Sequence, residues 1–257
     1  MSTALLVRHG RTAANTGGLL AGWTPGVVLD EIGLAQAGAL GQRIAGLPLA
    51  AIVSSPLERC LQTASAVLGA RTGPAVETED RLGECHYGEW TGKEIKTLAK
   101  DPLWRVVQAH PSAVTFPGGE SMRAMQDRAV DVVREVDARL GQDAVWVAVS
   151  HGDVIKAVLA DAMGLHLDQF QRLVIDPCSV TAVRYTQLRP FVLRVNDTGG
   201  DLVALAPPTK SRRRRRPASS DAVVGGGAGS VAAGSVDAGC AGYADSDGAG
   251  PAPAASA

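Results

Sequence analysis

The sequence predicts an α/β fold of three layers, in which a mainly parallel sheet is covered by helices on both faces. Short apolar runs alternate along the chain with longer stretches of helical character, which is the pattern of parallel strands joined by helices. Two of these runs, 3–7 and 144–149, each stop at a polar segment that contains a His-Gly pair. Apolar residues make up 46% of the 257 residues, enough to build the core that such a sheet needs.

In the first half of the chain, residues that start helices separate the apolar runs. Asp30 suits the N-cap of a helix in which Ile32, Leu40 and Ile44 fall near helical spacing. Pro56 suits the first turn of the next helix, because proline is tolerated there. The predicted strands cover residues 3–7, 51–53 and 75–77, and the predicted helices cover residues 31–45 and 56–69.

The second half begins with a less regular segment, 80–120. A segment of this kind can form a lid over a site. Within it we expect a helix at 103–109 and a turn at 117–119. Beyond it the alternation resumes. The predicted helices cover residues 121–140 and 153–163, and the predicted strands 144–149, 179–185 and 191–195.

The composition changes near Pro207, and we expect a folded domain over 1–207 followed by a disordered tail over 208–257. The tail is basic at first and then consists mainly of Ala, Gly, Ser and Asp, so it cannot bury enough surface to offset the entropy of ordering. From Lys210 onward it holds six basic and four acidic residues, which leaves 19 basic and 22 acidic residues before it. The run Arg212 to Arg216 is either a solvated stretch or a weak contact for RNA, DNA or anionic lipid.

Composition excludes several classes of protein. The four cysteines form no Cys-x-x-Cys pair, so neither a disulfide framework nor a zinc site is expected. The apolar start ends at Arg8, too early for a signal peptide, and no apolar run approaches the length of a membrane span. The expectation is a cytoplasmic protein with reduced thiols. The net charge of −1 gives no argument for a nucleic-acid partner, and the oligomeric state, including a homodimer, stays open.

Two histidines occupy equivalent places after predicted strands. His9 follows the first strand, and His151 follows the strand over 144–149. Ligands of open α/β sheets bind outside the carboxyl ends of the strands, so both imidazoles are expected to face one crevice. Arg8 and Arg59 are placed to hold the oxygens of one phosphoryl group there, because a guanidinium binds phosphate through paired donors.

These residue types suit phosphoryl transfer, in which positioning and positive charge supply most of the catalysis. His9 is the candidate nucleophile, since a neutral imidazole can attack phosphorus and form a covalent intermediate. His151, protonated or donating, is the candidate stabiliser of the transferring group. Glu84 is the candidate proton donor to the leaving alkoxide, with Glu89 as a nearby rival. Asn15 offers an amide donor or caps its own loop, and Gly152 opens a helix whose N–H groups point at the same anion.

Five segments resemble the histidine phosphatase superfamily, in its phosphoglycerate mutase-like branch. They occur in the order found in that family and span about residues 3–195, and their combination is highly specific. The matching segments are Arg8-His9-Gly10-Arg11-Thr12 with Asn15; Ser54-Ser55-Pro56-Leu57-Glu58-Arg59-Cys60 with Thr63-Ala64; Leu82-Gly83-Glu84 with Tyr87-Gly88-Glu89-Trp90 and Gly92; Pro117-Gly118-Gly119-Glu120-Ser121; and Val149-Ser150-His151-Gly152.

The resemblance implies a phosphoglycerate mutase-like sheet, no metal and no dissociable cofactor. It implies the same roles for His9, Arg8, Arg59, His151 and Glu84. The substrate is then a small phosphorylated metabolite.

Ala21 stands before Gly22 and Trp23 where many relatives have a polar side chain, so this loop offers the substrate only backbone N–H groups. Two other departures favour a phosphatase over a phosphomutase, although Tyr87-Gly88 matches the mutases. Ile95 stands where cofactor-dependent mutases carry a lysine, and the paired arginines that those mutases have further along are missing. The alternatives to a phosphatase are a phosphomutase and a non-catalytic phosphate-binding module.

Trp104 and Phe116 either pack in the core or line a pocket for the leaving group.

Overall fold

The computed structural model describes residues 2–69 and 73–199, and the predicted tail lies outside the described residues. The strands are β1 (Ser2–Arg8), β2 (Leu49–Ser54), β3 (Val76–Thr78), β4 (Val145–Ser150), β5 (Val180–Tyr185) and β6 (Pro190–Asp197). The helices are α1 (Ala13–Thr16), α2 (Glu31–Arg43), α3 (Glu58–Leu68), α4 (Ile95–Leu98), α5 (Pro102–Ala109), α6 (Met122–Leu140) and α7 (Gly152–Ala162). Short 3-10 turns cover Asp80–Leu82, Gly88–Trp90, Pro111–Ala113 and Leu167–Arg172.

The six strands of the described ranges form one sheet in the order β3-β2-β4-β1-β5-β6. β3, β2, β4 and β1 pair in parallel, whereas β5 runs antiparallel to both β1 and β6. The sheet is therefore mainly parallel with one reversed strand. The fold class predicted from the alternation of strands and helices is confirmed.

Alternate residues of the central strands face two separate cores, and this makes the three layers. In β4, Trp146 and Ala148 belong to the core that includes residues of α6 and α7. Val145, Val147 and Val149 belong to the core that includes residues of α2 and α3. Burial on both faces explains why these strands read as continuous apolar runs.

Two local predictions are wrong. Helix α3 begins at Glu58 and not at the predicted Pro56. The backbone of Leu57 is still extended, and its N–H donates a hydrogen bond to the hydroxyl of Ser55. Ile32 is exposed, although its spacing suggested a core position. The buried residues of α2 are the small Gly33 and Ala37 together with Leu40, which lets α2 approach its neighbours closely.

The irregular segment 80–120 is built into the core that also holds α6 and α7. Tyr87, Trp90 and Phe116 in this segment are buried. Phe116 meets Tyr87 and Trp90 edge-on at ring-centroid distances of 5.0 and 5.4 Å, and Trp104 stacks on Trp90 at 6.1 Å. These aromatic side chains pack against one another, as the first of the two alternatives for Trp104 and Phe116 expects, and a role in a leaving-group pocket stays a prediction.

Within the described ranges, every helix is too short or too polar to span a bilayer.

Candidate active site

The candidate site lies where β1 and β4 end side by side at the centre of the sheet. Arg8 is in register with Ser150, and the N–H of His9 donates to the carbonyl of Ser150 at 3.0 Å. The strands are parallel neighbours, so the residues that follow them emerge at the same edge. The rings of His9 and His151 are consequently 5.3 Å apart between centroids.

The surroundings of His9 fix its tautomer. Nδ1 lies 2.8 Å from the carbonyl oxygen of Gly10. A carbonyl only accepts hydrogen bonds, so Nδ1 carries the hydrogen and Nε2 keeps its lone pair. Burial, together with the positive charge of Arg59 and Arg8, lowers the pKa of His9 to about 3. The imidazole is therefore neutral at physiological pH.

His151 is neutral as well, contrary to one of the two states expected from the sequence. Its Nδ1 lies 3.2 Å from a guanidinium nitrogen of Arg59, which can only donate, so Nδ1 accepts. Nε2 then carries the hydrogen and donates to the hydroxyl of Ser55 at 2.8 Å. Burial and the adjacent positive charge of Arg59 hold the pKa of His151 well below its usual value.

The two arginines each have a buried donor without a hydrogen-bond partner. Arg59 is almost completely buried, and its Nη2 donates to the carbonyl of Gly22 at 2.8 Å, whereas its Nη1 has no hydrogen-bond partner. Arg8 donates from Nη1 to the carbonyl of Ile175 at 2.6 Å, and its buried Nε has no partner. Buried donors are normally paired, and an unpaired one calls for an explanation such as an anion.

Glu84 lies beside His151. Its Oε2 is 3.8 Å from Nδ1 of His151, and its Oε1 accepts from the N–H of Cys85 at 3.0 Å. Burial and the negative charge of Asp153 raise the pKa of Glu84 to about 7. A carboxyl with this pKa holds a proton in a large fraction of molecules at neutral pH. The rival Glu89 is exposed.

The predicted substrate-binding residues are Asn15, Ala21, Gly22 and Gly152, and each has its own local contacts. The amide oxygen of Asn15 accepts from the N–H and the hydroxyl of Thr12, both at 3.0 Å, so only its amide nitrogen is left for a substrate. Ala21 and Gly22 lie in a loop that Arg59 holds through the Gly22 carbonyl. Gly152 opens α7 directly under Arg8, where an added Cβ would lie 3.5 Å from the arginine Nε.

Several residues of the matching segments make contacts at the site that the sequence did not predict. The hydroxyl of Thr63 accepts from the N–H of Gly10 at 3.1 Å and donates to the carbonyl of Arg59 at 2.7 Å. Tyr87 donates to Asp153 at 3.1 Å. Ser55, which orients His151, follows a predicted strand just as the histidines do. That position, together with its place in the matching segment 54–60, is the sequence signal that singles it out.

In the part of the chain that the structure describes, no cluster of three His, Cys, Asp or Glu side chains is arranged to hold a metal ion. Cys60, Cys85 and Cys178 are buried free thiols.

Comparison with known proteins gives the same family as the motifs. Residues 4–198 match the model of the histidine phosphatase superfamily (branch 1). The chain is 34% identical over 173 residues to glucosyl-3-phosphoglycerate phosphatase of Mycolicibacterium vanbaalenii, covering 65% of this chain and 76% of the relative. It is 33% identical over 194 residues to 2,3-bisphosphoglycerate-dependent phosphoglycerate mutase 2 of Gloeobacter violaceus, covering 72% and 86%.

A solved structure extends the likeness to three dimensions. The protein YhfR of Bacillus stearothermophilus superposes with a TM-score of 0.71 at 31% identity, covering 77% of this chain and 98% of that protein. The central strands, the two histidines that follow them and the match over residues 4–198 all agree, and the chain belongs to the histidine phosphatase superfamily, branch 1.

Proposed function

We propose that this protein is a metal-independent phosphatase that hydrolyses a small phosphomonoester through a phosphohistidine at His9. One observation carries the proposal: buried His9 keeps a lone pair on Nε2 close to the positive charges of Arg59 and Arg8, and each of these arginines has a buried donor without a protein partner. The guanidiniums supply the positive charge that a transferring phosphoryl group requires. The phosphatase and mutase relatives support the choice of a phosphorylated substrate.

In the first half-reaction, Nε2 of His9 attacks phosphorus, and the bond from phosphorus to the ester oxygen breaks. The protonated carboxyl of Glu84 gives its proton to the departing alkoxide. Arg8 and Arg59 bind the equatorial oxygens, with the N-terminal N–H groups of α7 beside them. A bound dianion favours the charged form of His151, so that Nδ1 becomes a donor to the phosphoryl group.

In the second half-reaction, the carboxylate of Glu84 takes a proton from water, and the water oxygen attacks phosphorus. The bond from phosphorus to Nε2 breaks, inorganic phosphate is released, and His9 returns to its neutral state. Asn15, through its amide nitrogen, and the backbone of Ala21, Gly22 and Gly152 complete the proposed binding residues. We further propose that the catalytic domain ends by residue 207, since the family match stops at residue 198.

The test is phosphate release from a panel of phosphorylated metabolites in the presence of a metal chelator. The parent protein and His110→Ala, which changes an exposed histidine, should release inorganic phosphate equally. His9→Ala should lose turnover by at least about 10³-fold, because removal of a covalent nucleophile has effects of that order. Full activity of His9→Ala would contradict the proposal.

The phosphomutase is the second candidate, because a mutase is among the relatives of comparable identity. A phosphoglycerate incubated with the protein separates the two. A phosphatase yields inorganic phosphate, and a mutase yields the positional isomer.

A further inference from the structure

Hydrogen bonds from distant side chains to its backbone carbonyl groups hold the segment that carries Glu84. Residues 81–84 form a 3-10 turn and an extended stretch outside the sheet, so no regular ladder fixes them. Each of their four successive carbonyl oxygens nevertheless accepts a hydrogen bond from a side chain that lies far away in the sequence. The pairs are Arg128 with the carbonyls of Arg81, Gly83 and Glu84; Ser150 with that of Leu82; and Trp23 with that of Glu84.

Arg128 makes most of these bonds and is itself held in place. It projects from the long helix α6, and its side chain is only 17% exposed. Glu120 accepts from its Nε at 3.0 Å and from its Nη2 at 2.6 Å. The rest of the fork points at the carbonyls of Gly83, at 2.9 Å, and Glu84, at 3.1 Å. A planar fork of five donors can serve all these acceptors together, which the compact ammonium of lysine cannot.

Trp23 closes the other side of the segment. Its indole N–H donates to the carbonyl of Glu84, and its ring lies so close to Gly83 that an added Cβ would overlap it at 2.2 Å. His86 stacks on the indole with 4.4 Å between the ring centroids. The carbonyl oxygen of Glu84 therefore accepts from both the guanidinium of Arg128 and the indole of Trp23.

We propose that Arg128 is a positioning residue for proton donation, which aims the carboxyl of Glu84 at the leaving oxygen by fixing the backbone that carries it, with Trp23 in support. The proposal rests on the proposed role of Glu84 as the proton donor. Among the described residues, Arg128 makes no hydrogen bond to His9, His151, Arg8 or Arg59. Its positive charge contributes to the lowered pKa of His151, and Arg128→Lys keeps that charge. Loss of the Arg128 fork should impair proton delivery and spare phosphoryl binding.

Leaving groups of different basicity separate these two effects. Phenoxide is a basic leaving group and needs the proton of Glu84, whereas 2,4-dinitrophenoxide departs as a stable anion. The quantity to compare is kcat/KM, which covers binding and the first phosphoryl transfer for both esters. A general acid contributes roughly 10²- to 10⁴-fold to a step that needs it.

The experiment measures kcat/KM for phenyl phosphate and 2,4-dinitrophenyl phosphate in the full chain and four variants. Arg128→Lys keeps the charge beside Glu120 but removes the fork. Trp23→Phe keeps a ring and removes one donor. Glu84→Gln removes the acid. The matched control is Arg134→Lys on the same helix, where Arg134 forms an exposed pair with Asp161.

We expect Arg128→Lys to lose at least about tenfold on phenyl phosphate and less than about threefold on 2,4-dinitrophenyl phosphate. Trp23→Phe should show the same selectivity with a smaller loss, and Arg134→Lys should match the parent. Equal losses on the two esters in both Arg128→Lys and Trp23→Phe, or no loss in either, overturn the positioning role while leaving the phosphatase intact. If Glu84→Gln itself shows no selectivity between the esters, the assignment of the acid fails, and the positioning role fails with it.

Discussion

At the scale of single residues, the site combines a base and an acid whose pKa values are shifted in opposite directions. Burial and two guanidiniums lower the pKa of His9 to about 3, so its Nε2 keeps the lone pair that the proposed nucleophile needs. Burial and Asp153 raise the pKa of Glu84 to about 7, so its carboxyl keeps the proton that the proposed acid needs. Between these two values both groups are in the state that the first half-reaction needs. Opposite shifts of neighbouring titratable groups are how proteins separate acid and base roles.

The pKa of Glu84 predicts the pH dependence of that half-reaction. The protonated carboxyl dominates below about pH 7 and is lost as the pH rises through that value. The ratio of kcat/KM between parent and Glu84→Gln on phenyl phosphate cancels the ionisation of the substrate. It should be flat from pH 5 to 6.5 and should fall about tenfold per pH unit well above 7. A ratio that stays constant up to pH 9 would exclude Glu84 as the acid.

At the scale of elements, the packing of α2 on α3 depends on one glycine. A Cβ at Gly41 would lie 2.4 Å from the carbonyl oxygen of Ala66, whereas a Cβ at Gly38 in the same helix meets nothing within 4 Å. The two glycines therefore have opposite roles. Gly41 allows close approach of the helices, and Gly38 only lowers the helical propensity of α2.

The two alanine variants should change stability in opposite directions. Gly38→Ala should raise the free energy of unfolding by about 0.5–1 kcal/mol, because alanine is the better helix former. Gly41→Ala should lower it by about 1–3 kcal/mol, because the added methyl pushes against backbone that cannot move freely. Denaturant unfolding of both variants beside the parent measures this. Equal stabilisation by both would show that α2 and α3 are less tightly packed than the structure indicates.

Helices and strands were predicted well where local signals agree with the final packing. Asp30 caps α2 and Ser121 caps α6 through their side chains, as such residues do in isolated helices. Prediction from the sequence failed where tertiary packing decides which residues are buried and which path the backbone takes. Ile32 is exposed because the small residues of α2 form its buried face. In the segment 80–120 the helix predicted at 103–109 is present as α5, whereas the path of the rest could not be predicted, since it depends on contacts with distant side chains such as Arg128.

At the scale of the whole molecule, the order of the strands assembles the site. β1 and β4 are separated by most of the domain in sequence, yet they are parallel neighbours in the sheet, so His9 and His151 meet. The meeting of the two histidines could be predicted, because each of them follows a recognisable strand and the motifs match a known family. The orientation of the rings could not, since it depends on Gly10 and Ser55, and neither could the unpaired donors of Arg8 and Arg59.

The central claim is that His9 carries the phosphoryl group between the two half-reactions. The most direct measurement mixes the protein with a hydrolysable phosphate ester, quenches the reaction in alkali within milliseconds, and locates phosphate on peptides by mass spectrometry. Phosphohistidine is stable to alkali and labile to acid. We predict one phosphate on the peptide that contains His9, absent from His9→Ala and lost on acid treatment. Turnover of the ester with no label on that peptide, or with label on another side chain, would contradict the account.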